Sequence, residues 1–227
     1  MPRTLDPAAY ALRRDAYVDV AQRLIQENGY EQMSVEEILV ELGTSKGAFY
    51  HYFDSKLALL DAVVERTVVA AMEIMKRTAN DPTLTALQQL RAMFAGLASW
   101  KTDRKELMLA FIEVWLCDDN VIVRDKFRQR TAASLAPLLA GIVRRGNSEG
   151  TFTAASPEGA AHVLVSLMLG LNEEATRLFL ARQAGTVSLQ EVERFFSAYA
   201  EAFERIVGIP AGSWPVLDEE TLHIWFD

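Results

Sequence analysis

Cysteine is almost missing from this sequence: Cys117 is the single one in 227 residues. No intramolecular disulfide and no Cys-based zinc cluster can form. The thiol is expected to act as a small buried hydrophobe in a reducing compartment. Histidine is scarce too. His51, His162 and His223 lack the spacing that lets two imidazoles on one helix share a metal, so no metal site is expected. Long apolar runs are absent. The N-terminal stretch MPRTLDPAAYALRRDAY has no signal-peptide core, and no segment approaches the uncharged length of a membrane span. A cytoplasmic protein with no membrane partner is expected. Strand-like alternation is nearly absent. The motifs of common enzymes are missing as well: GxSxG, a phosphate-binding loop, a dinucleotide fingerprint, a Cys–His pairing. Acid pairs such as Glu36–Glu37 and Glu173–Glu174 read as helix surface. The chain is therefore expected to be neither an enzyme nor a cofactor carrier.

Basic charge is also in deficit. The formal net charge is −8, which argues against a strongly cationic, non-specific nucleic-acid binder. The first 56 residues hold six Lys/Arg against nine Asp/Glu. Any claim of DNA binding has to outweigh that acidity.

What the chain does have is helical periodicity. Leu57, Leu60, Val64, Val68, Ala71 and Met75 recur every three or four residues, and so do Leu189, Val192, Phe196, Tyr199, Phe203 and Ile206. Half the residues are hydrophobic, enough for a sizeable core. Capping boxes at Ser34–Glu37 and Ser188–Glu191, and Ser156 before Pro157, mark helix starts. Gly29, Gly43 and Gly185 mark stops. The reading is all-α, with about nine helices: 8–28, 35–42, 46–52, 56–79, 84–99, 105–117, 121–145, 157–184 and 188–207. Pro137 should kink or break the seventh. The tail after Gly208 holds Trp214, Trp225 and Phe226, too aromatic for a simple disordered end.

Residues 34–56 read SVEEILVELGTSKGAFYHYFDSK. A capped short helix, a turn at Gly43 and a second short helix from Lys46 spell a helix-turn-helix. Ile38, Leu39, Leu42, Phe49 and Phe53 are spaced to pack the pair together. Tyr50, His51 and Tyr52 cannot all be buried beside them on so short a helix. Gly47 and Ala48 would let the backbone approach a partner closely, and the second helix could enter a major groove N-terminus first.

This segment resembles the signature of the TetR family of regulators, over roughly residues 10–65. The resemblance implies a three-helix DNA-binding head, residues 1–55, and a helical ligand-binding and dimerisation body, residues 56–227. It implies that Ser34 meets one DNA strand, that Tyr50, His51, Tyr52 and Lys56 clamp phosphates, and that Ser45, Lys46, Gly47 and Ala48 face base edges. Lys46 is then the residue placed to read guanine. Arg3, Arg13 and Arg14 read as solvated surface charge, with phosphate contact from an N-terminal arm as the other reading. Glu36 departs from the pattern, because it would repel phosphate.

In the body, Leu107 to Leu116 is apolar nearly all round, with Glu113 its one charge. In the TetR family this region frames a ligand cavity. The expected lining is Met93, Leu97, Trp100, Met108, Phe111 and Trp115, faced by His162, Val165 and Leu169, with Asn172 on the same helix as His162. Ordinary core is the alternative for any one of these rings. Glu113 reads equally as a ligand contact or as a paired or solvent-facing side chain. The resemblance implies a ligand-responsive regulator, most simply a repressor released from a palindromic operator on double-stranded DNA by a small, mostly apolar effector. The fourth helix, starting at Lys56, would link pocket to head. A homodimer is expected through the last two long helices, because Val163, Leu164, Leu167, Met168, Leu171, Leu178 and Phe179 cover more than one side of the eighth, and Gly170 allows close approach. The acidic head keeps a competing reading open: a helical interaction protein whose head no longer binds DNA.

Overall fold

The computed structural model describes residues 6–116 and 121–227, with the backbone alone at 113–116. Arg3 and Cys117 lie outside the described residues, as do the side chains of Glu113 and Trp115. Among the described residues there are ten α-helices and no strand. They are α1 (Pro7–Asn28), α2 (Val35–Leu42), α3 (Lys46–Tyr50), α4 (Lys56–Ala79), α5 (Ala86–Thr102), α6 (Lys105–Leu116), α7 (Val121–Ser148), α8 (Pro157–Gln183), α9 (Leu189–Val207) and α10 (Glu219–Phe226).

The chain forms two compact units. The first holds the residues up to Val68 together with Arg104–Phe127. Its core is built from α1, α2, α3, the start of α4 and α6: Tyr17, Ala21, Ile25, Met33, Ile38, Phe49, Leu59, Leu60 and Val63 are all essentially inaccessible. The second unit holds Val69–Asp103 and Arg128–Asp227. In it α8 packs on α9, and α10 packs on both α5 and α8.

Two expectations need correction. Pro137 does not break α7, which runs unbroken from Val121 to Ser148. Proline removes one N–H and so frees the carbonyl four residues earlier. That carbonyl belongs to Ala133, and both Ala133 and Pro137 are exposed, so water can take its place. The helix ends instead at Gly146–Gly150, where the amides of Thr151 and Phe152 both donate to the Gly146 carbonyl at 3.0 Å. Gly146 is obligatory there: a Cβ would fall 2.0 Å from the Phe152 ring.

The second correction is the tenth helix. The aromatic tail folds back on the body, as its aromatic content implied, and ends in this added helix. Glu204, buried in α9, accepts the amides of Gly212 at 3.0 Å and Trp214 at 2.6 Å. Trp214 is fully buried, its ring 4.9 Å from Phe94 and 5.3 Å from Phe203. Phe226 lies between Phe179 and Phe196. A buried carboxylate without partners would be very costly; two amide donors make this one a clamp.

Candidate nucleic-acid interface

The helix-turn-helix is built by three local devices. Ser34 caps α2 by accepting the Glu37 amide at 3.2 Å, and Glu37 accepts the Ser34 amide at 2.8 Å. These bonds from Ser34, backbone first and hydroxyl second, hold the Glu37 carboxyl below the usual carboxylate range. Gly43 closes α2 in the left-handed region, φ 59°, where a β-carbon is disfavoured. Ser45 then caps α3 by accepting the Ala48 amide at 3.2 Å. The turn is tied to the long first helix by the Tyr17 hydroxyl, which donates to Thr44 Oγ1 at 3.0 Å.

Packing decides which ring of the aromatic run faces out. Phe49 is fully buried, with its ring 5.7 Å from Tyr17 and 5.8 Å from Phe53. Tyr52 is half-buried between Tyr10 and Tyr17, at 4.8 and 5.5 Å. Tyr50 and His51 are exposed. Helix α3 ends at Tyr50, so His51 and Tyr52 sit in the following turn rather than on the helix. Sequence reasoning did not single out Tyr10 and Tyr17, which hold this turn from α1. Their signal was the pair of tyrosines seven residues apart, two helical turns, on one face of that helix.

The residues expected to face base edges share one surface. Ser45, Lys46 and Gly47 are exposed, and Ala48 is half-buried. The Lys46 ammonium lies 3.8 Å from Glu36, a long and exposed pair. Such a pair holds the lysine weakly and leaves it available to another acceptor. Lys56, half-buried, donates to the Glu31 carbonyl at 3.2 Å and sits 4.3 Å over the Tyr30 ring. Its placement at the start of α4 is fixed, and two of its three protons remain for a phosphate. The Ser34 hydroxyl is committed to its cap. Arg14 stacks on Phe53 at 5.1 Å.

Five of the nine acids in the first 56 residues make a helix cap or a short ion pair. Arg23 bridges Glu27 and Glu41, Arg66 pairs with Asp19, Asp6 caps α1, and Glu37 caps α2. Glu36 stands beside Lys46 at the exposed start of α3.

The residues expected to line a ligand cavity divide between the two units. Met108 and Phe111 belong to the first unit, and Phe111 packs against its core cluster. Met93, Leu97, Trp100, His162, Val165 and Leu169 belong to the second. Met93, Trp100 and Val165 are buried, Leu97 and Leu169 half-buried. His162 is exposed rather than set in an internal wall; the residues facing inward on its turn are Ala161, Leu164 and Val165. Along α8, Val163 is half-exposed, and Leu167 and Gly170 follow it on the same stripe; Phe195 and Tyr199 of α9 stack at 4.9 Å.

Residues 18–63 match the profile of the family described as bacterial regulatory proteins, tetR family. The chain is 27% identical to the HTH-type transcriptional repressor BepR of Brucella suis biovar 1 (strain 1330), over 76% of this chain and 84% of that protein. It is 24% identical to the HTH-type transcriptional repressor KstR2 of Rhodococcus jostii (strain RHA1), over 66% of this chain and 73% of that one. Among solved structures, a TetR-family regulator from Mesorhizobium loti MAFF303099 superposes with a TM-score of 0.62 at 21% identity, covering 87% of this chain and 97% of that one. The SmeT–triclosan complex does so with a TM-score of 0.60 at 21% identity, covering 88% and 93%. At these identities the two structures establish the fold.

Proposed function

This chain belongs to the TetR family of bacterial regulatory proteins by its head, residues 18–63, and from that premise we propose that it is a ligand-responsive transcription regulator acting as a repressor. The observation that carries the reading is the exposed end of α3. Ser45, Lys46, Gly47 and Ala48 form a capped helix start held on a rigid aromatic base and open to a partner. Two of the relatives, BepR and KstR2, are named as transcriptional repressors.

In the proposed mechanism residues 1–55 read DNA and residues 56–227 bind effector and partner subunit. Helix α3 enters the major groove N-terminus first. Lys46 reads a base edge, and Tyr50, His51, Tyr52 and Lys56 contact phosphates. Ser34 contributes through the start of α2, its hydroxyl being committed to the cap. The operator is palindromic because the protein is a homodimer, joined through the apolar stripes of α8 and α9. A two-fold axis then places two heads on two half-sites.

The effector binds in the body, among Met93, Leu97, Trp100, Val165 and Leu169 of the second unit. The complex of SmeT with triclosan, an apolar aromatic molecule, supports an effector of that kind. Helix α4 carries the response, since it begins at Lys56 beside the DNA surface and contributes residues to both units. A ligand shifts DNA affinity only by its differential affinity for the two arrangements, about 1–3 kcal/mol in allosteric proteins, which is roughly 5- to 150-fold.

The test is to select duplexes from a random pool with the purified protein, then titrate the winner in the presence of hydrophobic and aromatic compounds. The reading expects a palindrome and at least one compound that weakens its binding. Selection of no duplex at low salt would favour a helical interaction protein with an inert head.

A further inference from the structure

An acid and a base stand together on the surface that meets the groove in the proposed mechanism. Glu36 is the second residue of α2 and Lys46 the first of α3. The turn at Gly43 brings them together, carboxylate and ammonium 3.8 Å apart. Both side chains are mostly exposed, 71% for Glu36 and 64% for Lys46. Among the described residues each is the other's only ion-pair partner. The neighbouring acid, Glu37, differs: its carboxylate is committed to the Ser34 cap. So exposed a pair adds little to the fold, and stability does not account for it.

The chemistry of a DNA surface restricts what such an acid can meet. An ionised carboxylate only accepts hydrogen bonds. Phosphate oxygens, guanine O6 and N7, thymine O4 and adenine N7 also only accept, and repel it. The major groove offers it two donors, cytosine N4 and adenine N6. Adenine N6 lies beside the N7 acceptor, so cytosine is the edge that a carboxylate matches without repulsion. Lys46 has the opposite inventory, three donors and no acceptor, and suits guanine. The 3.8 Å between the two charges is close to the step of about 3.4 Å between stacked base pairs. Lys46 also offsets part of the repulsion between the acid and nearby phosphates, which a lone carboxylate would meet in full.

We propose that Glu36 is a specificity-determining residue of the DNA surface, accepting from the N4 amino group of a cytosine next to the base read by Lys46. This rests on the reading of α3 as the helix that enters the groove, and it adds α2 to base recognition. The same carboxylate weakens binding to any duplex that lacks the cytosine, since it then faces acceptors alone. Acidity that opposes DNA binding in general becomes, at this position, a means of refusing wrong sequences.

The experiment selects duplexes from a random pool with the full-length protein, as wild type, Lys46→Ala, Glu36→Ala and Glu41→Ala. Single-base variants of the wild-type operator are then compared by anisotropy competition. Glu41 carries an equal charge on α2 but is paired with Arg23, and serves as the control. Wild type should select a cytosine no more than about one base pair from the position altered by Lys46→Ala, in both half-sites. Replacing that cytosine should cost wild type at least about five-fold in affinity, and Glu36→Ala less than about two-fold. Glu36→Ala should also bind scrambled DNA more tightly, with a Tm near wild type, because the side chain is exposed. Glu41→Ala should leave the selected sequence unchanged. A Glu36→Ala protein that selects the wild-type sequence, a base other than cytosine at that position, or loss of the cytosine in Glu41→Ala as well would each overturn the role of Glu36 while leaving DNA binding intact. A wild type that selects no duplex at low salt would overturn it together with the reading of the head.

Discussion

Gly47 should be a residue that weakens the fold and strengthens DNA binding, and Gly47→Ala separates the two. Gly47 is the second residue of α3 and does not need a positive φ. A Cβ built there meets only the Ser45 hydroxyl, at 3.9 Å, an ordinary van der Waals distance. Within the protein the methyl group is free to fit. Glycine in a helix is less stable than alanine by about 0.5–1 kcal/mol, mostly through backbone entropy. Gly47→Ala should therefore stabilise the protein by up to roughly that amount, which raises Tm by about 1–4 °C in a chain of this size. If the start of α3 lies against base edges, the same methyl group crowds the DNA. Overpacking a close contact costs about 1–3 kcal/mol, or roughly 5- to 150-fold in operator affinity. Thermal denaturation followed by circular dichroism gives the first quantity, and anisotropy titration of a labelled operator the second. Gly43→Ala is the control: its φ of 59° strains any β-carbon, so it should lower Tm instead. A Gly47→Ala protein that is more stable and binds operator unchanged would refute the placement of α3 on DNA. One that loses stability would refute the local geometry.

Lys46→Ala should relax preference at one base position by about 1–3 kcal/mol, read by competition among single-base operator variants; Lys56→Ala should weaken all duplexes alike and reduce the salt slope by about 1. Glu204→Gln replaces one carboxylate oxygen with a donor that faces a backbone N–H, and should cost about 1–3 kcal/mol in urea unfolding while leaving the head intact. The capping carboxyls of Glu37 and Glu191 titrate below their usual range when folded, each held there by Ser34 or Ser188. Their contribution is complete above the ordinary carboxylate pKa and disappears as pH falls through the lowered folded values. The double variant Glu37→Gln, Glu191→Gln should accordingly lose Tm at pH 7 and show a flatter decline than wild type as pH falls below the ordinary carboxylate range.

Local signals carried most of the fold. Ser34, Ser188 and Pro157 begin helices as their side chains and ring dictate, and Gly43 ends one, because caps act over three or four residues of sequence. The helix-turn-helix was legible for the same reason. Long-range partners were not legible. Tyr17 reaches Thr44 across 27 positions, and Arg91 reaches the Ser213 carbonyl across 122. Nothing near Glu204 announces that its carboxylate will be buried under Gly212 and Trp214, although the aromatic tail implied a docked end. Pro137 misled because a proline's effect depends on whether water can reach the freed carbonyl, a property of the fold. His162 misled because an apolar run shows which side chains need cover and not which side they face.

The central claim, that the exposed start of α3 reads DNA in a dimer, is tested most directly by hydroxyl-radical footprinting on a duplex selected by the purified protein. The account predicts two protected half-sites related by a two-fold axis, with Lys46→Ala altering the sequence selected in both. A single unsymmetrical footprint, a selected sequence indifferent to Lys46, or no selected duplex at low salt would contradict it.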